Sequence, residues 1–128
     1  IKWDSLTLDG GVPSSWGKFV ANMVNNSSPY KSYEISQYNN TGRIMWSIST
    51  GPAQGDIQEV ISPELGSYAN SDWVFVVGTW SSGEKMKLYI NDGNTLVEAE
   101  SPNDISGQIY YNNNQPLTIG GSNLSQDY

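Results

Sequence analysis

A chain of 128 residues is long enough for one hydrophobic core and short for two domains. Its 13 acidic residues against 6 basic ones, a formal net charge of -7, have the wrong sign for holding nucleic acid or an anionic membrane surface by charge. The absence of Cys and His excludes Cys-His and Ser-His-Asp nucleophile systems and zinc sites built on those side chains.

In chain order, period-two segments alternate with turn-rich stretches, and no sustained helical stripe interrupts them. Ile1–Asp4 reads as the end of a strand. Residues 6–16 form a Gly/Pro/Ser loop that carries Trp16. Lys18–Val24 is a strand with Phe19, Ala21 and Met23 on one face. Lys31–Tyr38 alternates, Tyr33 and Ile35 against Ser32, Glu34 and Ser36. Asn39-Asn40-Thr41-Gly42 suits a hairpin turn, and Arg43–Ser49 returns with Ile44, Trp46 and Ile48 inward. A loop at Thr50–Asp56 leads to a short strand at Gln58–Ile61, with one helical turn expected near Pro63–Leu65. Asp72–Trp80 is apolar on both faces, which predicts a central strand covered on both sides. Lys85–Ile90 points Met86, Leu88 and Ile90 inward and Lys85, Lys87 and Tyr89 outward. Asp92-Gly93 is a favoured turn pair before Thr95–Ala99. Gln108–Tyr111 reads as a further strand, and Pro116–Gly120 as the last, with Leu117 and Ile119 inward.

About nine short strands at this spacing predict an all-β antiparallel sandwich. Residues 1–128 form a single domain, with neither repeat nor linker. The expected core comprises Phe75 or Val76, Trp46, Leu88, Ile90 and Ile119, with Trp73 and Trp80 as core or near-core plates. No apolar run nears the roughly 20 residues of a membrane span. The start at Ile1 and the lack of a signal pattern suggest a processed product or an excerpt of a longer chain.

Trp73-Val74-Phe75-Val76-Val77-Gly78-Thr79-Trp80, a Ser/Gly turn and Lys87-Leu88-Tyr89-Ile90-Asn91-Asp92-Gly93 together resemble the laminin-G-like branch of the concanavalin A-like lectin/glucanase superfamily. Leu117-Thr118-Ile119-Gly120-Gly121 matches its later Leu-x-Ile-Gly-Gly segment. Tyr33-Glu34-Ile35 with Arg43–Ile48 matches its earlier hairpin, and Ile1-Lys2-Trp3 the end of its early strand. The resemblance implies a jelly-roll sandwich in an extracellular, cell-surface or virion-surface protein. It also implies a strand before Ile1 and one after Tyr128. The later strand would come from a continuing chain or a neighbouring chain, unless this member has fewer strands.

The function expected is a non-catalytic binding or adhesion module for glycan or protein, with a structural assembly module of a virion, filament or surface layer as the alternative. Aromatic plates beside amides suit sugars, which selects Trp16, Tyr110, Tyr111, Asn112 and Asn113 as candidate ligand-binding residues. For Tyr110 and Tyr111 alternation alone would put one ring in the core and one at the surface. Glycoside hydrolysis needs paired carboxylates. Glu98 and Glu100 are the nearest approach, without the Glu-x-Asp-x-x-Glu pattern of sandwich-type glucanases. Loop carboxylates at Asp9, Asp56, Asp72, Asp92, Asp104 and Asp127 would suit Ca2+, which takes oxygen ligands, but no motif fixes a ligand set. Asn25, Asn26, Asn39 and Asn123 fit the glycosylation acceptor pattern.

Overall fold

The computed structural model describes residues 18–23, 31–38, 43–64, 73–91, 95–111 and 116–119. Eight strands lie among them: β1 (Lys18–Met23), β2 (Lys31–Tyr38), β3 (Arg43–Ser49), β4 (Ile57–Ile61), β5 (Phe75–Thr79), β6 (Lys87–Asn91), β7 (Leu96–Glu100) and β8 (Thr118–Ile119). They form a five-stranded sheet in the order β4-β3-β2-β1-β8 and a three-stranded sheet in the order β5-β6-β7, with every pairing antiparallel. The expectations at Ile1–Asp4, Asn39–Gly42 and Asp92-Gly93 lie outside the described residues.

The alternation of β3 sets the core. Ile44 and Ile48 are fully buried, and Trp46 packs beside them. Leu88 and Ile90 meet them from β6, with Val74 just before β5 and Met86 just before β6, and Val60 joins from β4. Each such side chain contributes about 1.5–3 kcal/mol on burial. The Trp46 ring reaches across to the backbone of β5, where a Cβ on Gly78 would lie 2.5 Å from it. Glycine at 78 therefore lets an indole from one sheet lie flush against the backbone of the other.

The other face of the five-stranded sheet is also buried, and beside Ala21 and Met45 it is polar. Ser32, Glu34, Ser36, Ser47 and Ser49 have no exposed surface. Glu34 on β2 receives the Lys18 ammonium from β1 at 2.8 Å, together with the Ser36 hydroxyl. Lys31 Nζ lies 3.1 Å from Glu34 Oε2, an ion pair without hydrogen-bond alignment, and donates to Ser47 Oγ on β3. It also approaches Glu59 on β4 at 3.8 Å. One carboxylate thus anchors a charge network that joins four strands. Burial alone would raise the Glu34 carboxyl, but Lys31 and Lys18 outweigh it and hold the group below its ordinary value.

Several expectations are corrected. Trp73 and Phe75 are 72% and 70% exposed, because β5 borders the three-stranded sheet and, among the described residues, that sheet has a covered face on one side only. Ile119 pairs with Val20, which pairs with Ile35, so it lies on the inward side as its alternation implies. It is nevertheless 80% exposed, and Leu117 is exposed too, because no described strand of the second sheet lies opposite β8. Phe19 packs on the core while Ala21 sits beside Glu34 on the opposite face, because a bulge between Lys18 and Val20 shifts the alternation. Residues 108–111 are not a strand, a helical turn lies at Gln54–Asp56, and the turn expected at Pro63–Leu65 falls partly outside the described residues.

Two outcomes follow. Gly78→Ala drives a methyl into the Trp46 ring and should cost about 1–3 kcal/mol, with part recovered in Gly78→Ala/Trp46→Leu. Equal melting temperatures for wild type and Gly78→Ala would refute the close approach. Glu34→Gln should cost about 3–5 kcal/mol in urea unfolding at pH 7, because it removes the carboxylate that two nearly buried ammonium groups share. Since the folded Glu34 pKa is depressed, its stabilisation is full above the unfolded carboxylate value and is lost as pH falls through the folded one. Wild type should thus lose stability below about pH 4, and Glu34→Gln should lose less over the same interval.

Candidate ligand-binding surface

The three-stranded sheet presents a face that no described strand covers. Its register arranges that face in rows. Phe75 lies opposite Asn91 and Asn91 opposite Leu96; Val77 opposite Tyr89 and Tyr89 opposite Glu98; Thr79 opposite Lys87 and Lys87 opposite Glu100. Trp73 extends the surface beyond Phe75 on the same side, two residues along the strand. One end is therefore apolar, with Trp73, Phe75 and Leu96 all exposed. The other is charged, with the Glu100 carboxylate 3.4 Å from Lys85 Nζ and 3.6 Å from Lys87 Nζ. Contiguous exposed aromatics on a folded domain mark an interaction surface more often than single exposed residues do.

The face exists because its reverse is fully used. Val74, Val76, Leu88, Ile90, Val97 and Ala99 all face or pack against the core. Strand alternation then sends Trp73, Phe75, Val77 and Tyr89 the other way. The outer position of these aromatics was legible from Lys87 and Tyr89. The short turn at Ser81–Gly83 makes β5 and β6 a hairpin, so the residues paired with outward Lys87 and Tyr89 must also point outward.

The candidates chosen from sequence fall elsewhere. Trp16, Asn112 and Asn113 lie outside the described residues. Tyr110 is half-buried and Tyr111 is 62% exposed. Their segment joins the two sheets at one end. Trp80 Nε1 donates to the Ile105 carbonyl, the Gly107 amide to Ser82 Oγ, and the Tyr110 amide to the Ser49 carbonyl at the end of β3. The two tyrosines are thus held at the rim of the five-stranded sheet rather than on the aromatic face. Glu98 and Glu100 do share one face, as expected, and both are solvent-exposed.

For calcium, no group of three or more acidic side chains gathers among the described residues. Asp9, Asp72, Asp92 and Asp127 lie outside them. Asp56 is committed to its own turn: its Oδ2 accepts the Ala53 amide at 2.9 Å, and its carboxyl fills the space a Gly51 side chain would need. Asp104 is exposed.

Two packed antiparallel sheets, one with an open aromatic face, define a β-sandwich of the lectin-like class. Residues 9–128 match the laminin-G family model described as the concanavalin A-like lectin/glucanases superfamily, and the chain belongs to that family. Domains of this class are commonly binding modules, and the class also includes glycosidases. No curated protein and no solved structure matched the chain.

If the face is surface rather than core, Trp73→Ala and Phe75→Ala should each change unfolding free energy by less than about 0.5 kcal/mol. Leu88→Ala, on the buried side of the same sheet, should cost about 2–5 kcal/mol. Comparable losses from all three variants would show that the aromatic face is covered.

Proposed function

We propose that the domain is a non-catalytic glycan-recognition module of a secreted or surface protein, and that it binds through the outer face of β5, β6 and β7. The observation that carries this reading is the exposure of Trp73 and Phe75 on one sheet face beside polar groups. Sugars present C–H faces that stack on aromatic rings and hydroxyl edges that need polar partners. The rows supply both, with Phe75 next to Asn91 and Tyr89 next to Glu98.

Binding is favoured over hydrolysis for a physical reason. A catalytic carboxyl pair needs one group kept protonated, which enzymes arrange by desolvation. Glu98 and Glu100 instead stand on an open face, with Glu100 engaged by two lysines. Calcium plays no part at this face in the proposal. A glycan array run with the intact chain, with and without chelator, tests it. The expected result is retained glycan that survives chelation, is lost in Trp73→Ala/Phe75→Ala, and is not cleaved. Binding abolished by chelator would move the ligand to the rim loops, and reducing ends released over time would overturn the non-catalytic reading.

The second reading, an assembly module completed by a neighbouring chain, is favoured by exposed Ile119 on β8 and Leu117 just before it, at the border of the five-stranded sheet. It predicts a mass by light scattering that rises with concentration and falls with Ile119→Lys. A constant monomer mass would exclude it.

A further inference from the structure

Resting on that reading of the outer face, we infer that its ligand is an uncharged glycan chain and that acidic glycans are rejected. The charges on the face decide the point. Two lysines, Lys85 and Lys87, approach it, and both ammonium groups face Glu100, at 3.4 and 3.6 Å. An anionic sugar would have to compete with that carboxylate for them. Glu98 is exposed, lies in the row of Tyr89 and Val77, and makes no ion pair with a described residue. A carboxylate so placed accepts hydrogen bonds from hydroxyls and repels a uronate or sulfate.

The two lysines and two glutamates of the face cancel, within a chain whose formal net charge is -7. The long-range field therefore opposes polyanions, while the local field neither attracts nor repels a neutral polymer. At the far end Trp73, Phe75 and Leu96 carry no charge and offer only apolar surface. Such a surface rewards contact with the C–H face of a neutral sugar and gives nothing to an acidic substituent.

The test uses the intact chain in affinity electrophoresis and calorimetry against β-glucan, xylan and galactomannan on one side, and polygalacturonate and heparin on the other. At least one neutral polymer should bind, and its affinity should change less than about twofold between about 50 and about 500 mM NaCl, since no ion pair forms with it. The acidic polymers should bind at least about tenfold more weakly, and Glu98→Lys should narrow that gap by drawing them to the face. Trp73→Ala/Phe75→Ala, checked for an unchanged melting temperature, should lose binding at least about tenfold. Heparin or polygalacturonate binding as tightly as the neutral polymers, and still through Trp73 and Phe75, would overturn the charge inference and leave the recognition surface standing. Failure of all five polymers, or binding indifferent to the double variant, would overturn both.

Discussion

The structure depends on the contact between the two sheets, where the Trp46 ring lies against the backbone at Gly78. Packed sheets sit about 10 Å apart, a gap filled by side chains from both inner faces. Here Ile44 and Ile48 project from one sheet and Leu88 and Ile90 from the other, while the large indole is accommodated by a residue with no side chain opposite. That choice uses up one side of β5. Strand geometry leaves its remaining apolar side chains, Phe75 and Val77, on the outer face with Trp73, and the candidate surface is a consequence of how the core was filled.

The five-stranded sheet meets a different constraint. Its inner face is apolar, and its reverse holds small polar side chains around Glu34. A buried carboxylate is costly unless paired and hydrogen-bonded. Lys18, Lys31 and Ser36 meet that need from β1 and β2, and Lys31 extends the network to Ser47 and Glu59 on β3 and β4. Shifting a neighbouring strand by one residue would send the opposing group to the other face. The network therefore ties the register of this sheet to charge as well as to hydrophobic pattern. The outer face of the other sheet remains free of such a demand, because its charges stand in water.

Most of the architecture was legible. Alternation in β2, β3 and β6 identified Ile44, Trp46, Ile48, Met86, Leu88 and Ile90 as inward, and the motifs spanning β5 and β6 carried the family. The failures have a common source: alternation gives the side on which a residue lies, and what covers that side is decided by tertiary packing. Because β5 is apolar on both faces, its pattern left Phe75 and Val76 as alternatives for the core and made Trp73 a core or near-core plate; Val76 packs on the core, and Trp73 and Phe75 face out. Ile119 lies on the inward side yet has nothing described across from it. Glu34 looked like an ordinary polar position and is fully buried. The bulge that separates Phe19 from Ala21 leaves no mark in the sequence. The site was less legible than the fold because aromatic residues serve packing and sugar stacking equally well. Composition alone directed attention to Tyr110 and Tyr111 at the rim.

The most direct test of the central claim, that the outer face of the three-stranded sheet is the recognition surface, is an NMR titration of the 15N-labelled chain with neutral polysaccharide, followed at the tryptophan indole N–H signals. Trp73 stands on the open face, Trp46 lies between the sheets, and Trp80 is bonded to the Ile105 carbonyl. The account predicts that the Trp73 signal shifts in a saturable manner while those of Trp46 and Trp80 stay in place. A saturable titration that leaves Trp73 unmoved and perturbs Tyr110 and Tyr111 instead would contradict it.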